Sequence, residues 1–289
     1  MDVNHDGFLD ILSGSYSRHE PNMAGLFQVL HGKEDRSFGR AKALSGSDDE
    51  LLIIETGGAD VDVTDKICTR PFAVDFDGDG KLDIVSGNFT GTFALFRGVD
   101  GGNFANRHEW LETDGQRLRV DAHSDPFLCD WDGDGDLDLL SGSSSGGVFL
   151  FANEGTRKAP MYGARQTLLE PAGHHSEFWG DAELHGPQSS TRVWADDLDG
   201  DGKLDLLVGD NVALCHPVGD LVEAEAKAKL AEWSERQSKV FESITPSDGK
   251  EPTEADQERF QKAYEKLQEE RAAIVRDERT GFVWFLRRS

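Results

Sequence analysis

The chain has 289 residues, with 30 lysines and arginines against 55 aspartates and glutamates, for a net charge of −25. This excludes nucleic acid and anionic membranes as partners, because counterion release needs clustered basic side chains. No apolar run approaches the roughly 20 residues of a membrane span, the opening Met1-Asp-Val-Asn-His-Asp-Gly7 is no signal peptide, and Cys68, Cys129 and Cys215 form no disulfide or zinc pattern.

The first element in chain order is an acidic nonapeptide with Asp2, Asn4, Asp6, Phe8 and Asp10 at positions 1, 3, 5, 7 and 9. It recurs with Asp75, Asp77, Asp79, Lys81 and Asp83, then with Asp130, Asp132, Asp134, Asp136 and Asp138, and last with Asp197, Asp199, Asp201, Lys203 and Asp205. Oxygen side chains at positions 1, 3, 5 and 9, joined by the backbone carbonyl of position 7, suit one hard cation that takes six to eight oxygens, and Gly at position 6 permits the turn. The spacing therefore predicts up to four calcium ions. Magnesium demands a tighter octahedron, and an EF-hand would need a glutamate at position 12, where Ser13, Ser86, Ser141 and Val208 stand. With Asn4 for an acid, the first loop is the weakest of the four sites.

Each loop runs into a short apolar segment ended by glycine: Ile11-Leu-Ser-Gly14, Ile84-Val-Ser-Gly87, Leu139-Leu-Ser-Gly142 and Leu206-Leu-Val-Gly209. These read as buried strands. Before three of the loops stand Phe72, Phe127 and Trp194, each three residues ahead of the first ligand. A further strand follows at 26–32, 93–98, 148–152 and 282–287, and in three repeats a last one begins at Phe38, Phe104 or Tyr162 and ends near Leu44, Leu111 or Leu168. The unit is strand, loop, strand, turn, strand, turn, strand, the composition of a β-propeller blade. The fold class expected is all-β, with blades over 1–215 and a last blade completed by 280–289.

Residues 216–279 change period from two to about 3.6. Val222, Ala226, Leu230, Trp233 and Val240 mark one helical face and Phe260, Tyr264, Leu267, Arg271 and Ile274 another, with Thr253 and Asp256 as a helix start after a Pro-containing break. An antiparallel helical hairpin inserted in the last blade is expected, either a decoration or a docking arm.

The loop pattern within its blade, with trailing elements such as Asn153-Glu-Gly-Thr-Arg-Lys-Ala-Pro160, resembles the FG-GAP and VCBS repeats of integrin-alpha-like propellers. The resemblance covers about residues 1–215 and the last ten. It implies a calcium-stapled propeller of a secreted or periplasmic protein, used in adhesion or in recognition of extracellular polysaccharide or protein, and in some relatives in polysaccharide lyase or hydrolase activity. The first repeat begins inside its loop and the last lacks a fourth strand, so the chain reads as a fragment whose upstream blades or partner chain lie elsewhere.

Binding is expected on the rim opposite the metal loops, where the long irregular segments collect. The most suggestive of these holds His174, His175, Glu177, Trp179, Asp181 and His185. An exposed Trp179 can stack on a sugar, and His with Asp can hold a second metal or move a proton. No P-loop, nucleophile elbow or HExxH is present, so no catalytic residue is named. A purely structural scaffold is the third reading.

Overall fold

The computed structural model describes residues 1–17, 23–55, 63–172, 178–244 and 253–288. Among the described residues the fold is mostly β-sheet with two α-helices, and the chain divides into two compact units: Met1–Gly173 with Gly186–Asn211 and Gly281–Ser289, and His174–His185 with Val212–Thr280.

The first unit contains a series of antiparallel sheets, one main sheet to each repeat. Repeat 1 pairs Ile11–Gly14 with Phe27–Leu30 and Lys42–Ala43. Repeat 2 orders Arg70–Val74, Asp83–Gly87, Phe93–Phe96 and Glu109–Trp110, and repeat 3 orders Asp125–Cys129, Asp138–Gly142, Val148–Phe151 and Gln166–Leu169. In repeat 4, Ser189–Asp196 and Val283–Leu286 flank the first half of the long strand Asp205–Pro217. The last strands of repeats 2 and 3 start later than expected. Phe104 instead closes a small hairpin with Gly98, and Tyr162 makes an isolated bridge to Asn153.

The middle strands lack the polar alternation of a one-sided sheet because both of their faces are covered. Ile84, Ala94 and Phe96 face repeat 1 and pack on Phe27, Val29, Leu52 and Ile54. One residue along, Val85, Phe93 and Leu95 face repeat 3 and pack on Leu128, Leu139, Phe149 and Phe151. Phe127, Leu140, Val148 and Leu150 then meet Val193, Ala195, Leu206 and Val208 of repeat 4. The aromatics ahead of the loops form a ladder, Phe72 to Phe127 at 5.0 Å and Phe127 to Trp194 at 5.1 Å between ring centroids. On the corresponding face of repeat 4, Trp194, Val283 and Phe285 are 54%, 73% and 52% exposed.

Adjacent repeats are also joined by a recurring hydroxyl clip. The Thr69, Ser124 and Thr191 oxygens accept the N–H of Ser15, Asn88 and Ser143, each at 3.0 Å. The same hydroxyls donate to the carbonyls of Leu26, Thr92 and Gly147 at 2.9, 2.7 and 2.6 Å. Only glycine admits this approach: a Cβ on Gly14, Gly87 or Gly142 would lie 1.8, 1.9 or 2.1 Å from the clip residue's carbonyl oxygen. A Cβ on Gly209, at the same place in repeat 4, would meet nothing within 4 Å.

In the second unit, α1 (Glu223–Ile244) and α2 (Glu254–Ala272) form a hairpin. Thr253 and Asp256 make a reciprocal capping box at the start of α2. Ala226, Leu230, Trp233, Leu267 and Ile274 are buried together, and the Trp233 indole N–H donates to the Leu267 carbonyl at 2.8 Å. Val222, Phe260 and Tyr264, assigned from periodicity to the inward faces, are exposed. Phe260 instead stacks on Tyr264 and on Phe241. The expected insertion also conceals a strand, Val275–Thr280, which pairs with Val212–Pro217. Its sequence, Val-Arg-Asp-Glu-Arg-Thr, carries too little apolar alternation to signal one.

Candidate metal loops

Each nonapeptide folds as a tight loop leading into the second strand of its repeat. Left-handed backbone is needed twice per loop, at Gly78 and Gly80, Gly133 and Gly135, and Gly200 and Gly202. Loop 1 has His5 at the first of these places, with φ 57°, a conformation that costs a non-glycine residue about 1 kcal/mol.

Three carboxylates of each loop have distinct work. Position 1 closes the turn: Asp2, Asp75, Asp130 and Asp197 accept the position-6 N–H at 2.8, 3.2, 3.0 and 3.0 Å. Position 5 holds the next bend, with Asp6, Asp79, Asp134 and Asp201 accepting the position-7 N–H at 2.9, 2.9, 3.1 and 2.9 Å. Position 9 is buried and ties the loop to the sheet. One oxygen of Asp10, Asp83 and Asp138 accepts the N–H of Val3, Phe76 and Trp131 in its own loop. The other accepts the N–H of Gly32, Gly98 or Asn153 just past the third strand, and Asp205 takes Arg288 in the same way.

Positions 1, 3 and 9 converge. Asp75, Asp77 and Asp83 bring ligand oxygens within 4.8 Å of one another, as do Asp130, Asp132 and Asp138, and Asp197, Asp199 and Asp205. Asp79, Asp134 and Asp201 stand outside these trios. In loop 1 the third position is Asn4, whose amide donates to Asp6. At position 7, Phe8 and Lys203 are exposed, Lys81 pairs with Asp79 and Asp100 at 3.3 and 3.2 Å, and Asp136 is buried.

The electrostatics record the crowding. Burial pushes the Asp83 and Asp138 carboxyls above the usual range, against the N–H donors that pull them down. Asp136 is raised by burial and then by its four loop neighbours, Asp134, Asp138, Asp132 and Asp130. Asp79 is lowered, first by the Lys81 N–H. Among the described residues Asp75 Oδ1, Asp136 Oδ1 and Asp205 Oδ2 are buried oxygens with no hydrogen-bond donor. An all-oxygen donor set with buried, donorless lone pairs fits a hard divalent cation.

The second candidate site divides. His174, His175 and Glu177 lie outside the described residues. Trp179 is no open platform: it is partly buried against the helical core, and the Lys227 ammonium sits 5.4 Å over its ring. Glu183 accepts the Trp179 N–H at 2.8 Å and pairs with Lys227 at 3.3 Å. Asp181 and His185 are exposed. Cys68 and Cys129 are free thiols, Cys215 is buried beside Asp277, and burial pushes Cys129 up to about 12, which keeps it unreactive.

Residues 75–141 and 130–208 each match the family model of the FG-GAP-like repeat. Each match runs from one loop through the next. No curated protein matches the chain.

Proposed function

From the two FG-GAP-like repeats matched over residues 75–208, we propose that the chain is a calcium-stapled arc of propeller blades serving recognition in a calcium-rich, extracytoplasmic setting. The observation that carries this is the convergence of three carboxylate trios, each anchored by a buried position-9 aspartate. Asp75, Asp77 and Asp83 would hold one ion, Asp130, Asp132 and Asp138 a second, and Asp197, Asp199 and Asp205 a third, with positions 5 and 7 completing each oxygen shell. The bound ion supplies countercharge to carboxylates that otherwise repel one another. The protein residues supply the shape: position 1 sets the turn, and position 9 couples the loop to two strands.

The repeats are alike in strand order and pack face to face, which supports blades of one propeller. The ligand we propose is an extracellular polysaccharide or protein. The net charge of −25 favours a neutral or basic one, since polyanions are repelled.

Calorimetric titration with calcium, paired with thermal melts in calcium and in chelator, tests the metal reading. Three or four bound ions and a clear rise in Tm are expected. Identical melts with no binding heat would sink it. Glycan and protein-partner screens in calcium then test recognition, and binding that persists unchanged in chelator would separate the ligand surface from the metal loops.

A further inference from the structure

The loops look alike in sequence, yet they differ in the cations placed before their carboxylates. One residue ahead of the N–H that caps the position-9 aspartate stand His31, Arg97, Ala152 and Arg287 in repeats 1 to 4. Arg97 reaches Asp77 Oδ2 at 2.9 Å, Lys81 reaches Asp79 at 3.3 Å, and Arg157 donates to the Asp75 carbonyl at 2.8 Å. In loop 4 the Arg287 Nε lies 2.5 Å from Asp199 Oδ2, and its guanidinium reaches Asp201 at 3.6 Å. Asp77 and Asp199 belong to the converging trios, so each arginine sits on a carboxylate the metal would use.

Loop 3 is built otherwise. Ala152 cannot reach the loop, and among the described residues no Lys or Arg forms an ion pair with Asp130, Asp132, Asp134, Asp136 or Asp138. Arg288, just past the third strand of repeat 4, is spent on Trp131, lying 4.4 Å over the ring and donating to its carbonyl. Loop 3 also carries a fifth carboxylate. Asp136 is 7% exposed, its Oδ1 has no donor, and it faces the four other aspartates of the loop.

We propose that the loops are ranked by these built-in cations: Asp130–Asp138 is the primary calcium site, while Arg97 and Arg287 are tethered counter-ions that calcium must displace in loops 2 and 4. This rests on the reading of the loops as calcium sites. Affinity in such loops follows ligand charge and rigidity. Displacing a solvent-accessible ion pair costs up to a factor of about five in binding, so the first ion should bind loop 3 several-fold tighter than the others.

Terbium, a calcium-sized probe, distinguishes the loops, because loop 3 alone has a tryptophan within it, Trp131. Terbium emission excited through tryptophan, with competing calcium, is measured on the full chain alongside total calcium binding by calorimetry. The tightest step is expected to coincide with the sensitised emission and to vanish in Asp132→Asn. Arg97→Gln and Arg287→Gln should each tighten a weaker step by about two- to fivefold, and Ala152→Arg should weaken the first by a similar factor. Circular dichroism establishes that each variant is folded. The ranking is overturned if the tight step survives Asp132→Asn, or if both glutamine variants leave the isotherm unchanged. An absence of any calcium or terbium binding would instead overturn the calcium reading itself, and the ranking with it.

Discussion

Gly142→Ala should be among the most destabilising single-methyl additions in the first unit, and Gly209→Ala, at the matching place in the next repeat, should be harmless. The new Cβ at 142 would sit 2.1 Å from the Thr191 carbonyl oxygen and 2.6 Å from its carbon, so the adjoining strands must part by more than an ångström. Overpacking of this kind costs about 1–3 kcal/mol. Parting the strands also breaks the buried Thr191 clip, with its bonds from Ser143 N–H at 3.0 Å and to Gly147 at 2.6 Å, for about 1–3 kcal/mol more. The expected total is about 2–6 kcal/mol, or a fall in Tm of roughly 4–24 °C. Gly209 has open space at its Cβ and ordinary strand backbone, so its alanine variant should lie within about 0.5 kcal/mol of the parent. Urea unfolding in calcium, followed by tryptophan fluorescence, makes the comparison. Variants within about 1 kcal/mol of each other would refute the clip as a constraint between repeats.

Asp138→Asn replaces one carboxylate oxygen with an amide N–H facing Trp131 N–H or Asn153 N–H; in chelator, denaturant melts should show a loss of about 1–3 kcal/mol. Trp233→Ala removes the largest buried side chain shared by the two helices together with its bond to Leu267, and should cost the helical unit about 3–5 kcal/mol, read as early loss of far-ultraviolet helix signal on heating. His108, tilted against Phe96 and edge-to-face with Trp110, has its pKa lowered from 6.5 to about 4, chiefly by burial. Because that pKa is depressed in the fold, the stability it confers is complete above pH 6.5 and is lost as the pH falls toward 4, by up to about 3 kcal/mol. His108→Phe should flatten this part of the stability profile measured by urea melts.

What could be read in the sequence was what repeats at fixed spacing. The four loops, the apolar strand after each, the aromatic three residues ahead and the capping box at Thr253 are local patterns, and each has a counterpart in the described structure. The clip hydroxyls also keep a fixed distance, Thr69, Ser124 and Thr191 each standing six residues before the first loop aspartate. They were missed because a lone Ser or Thr carries no chemical signature until the glycine opposite it is known. The cations of loops 2 and 4 were out of reach for another reason. Arg97 and Arg287 are equivalent in the fold, but the helical hairpin puts a very different length of chain between each and its loop, so no spacing links them. Phe260 and Tyr264 misled because helical periodicity shows which residues share a face, not which face finds a partner.

The same strand is held at its two ends by different chemistry. Asp83–Gly87 and Asp138–Gly142 each begin at the position-9 aspartate and end at the clip glycine. At the aspartate end the carboxylate joins the loop, the second strand and the far end of the third, all within one repeat. At the glycine end, backbone contact and a hydroxyl join that repeat to its successor. Cohesion within a sheet and cohesion between sheets are therefore separable, and only the first leans on the loop carboxylates. Hydrogen exchange in chelator should accordingly rise at Phe76, Gly98, Trp131 and Asn153, whose N–H groups end on position-9 oxygens. Protection at Asn88 and Ser143, whose N–H groups end on clip hydroxyls, should be retained. Equal loss at both sets would mean that the loops and the seams between repeats open as one unit, and that metal governs the whole run of repeats rather than the local geometry of each.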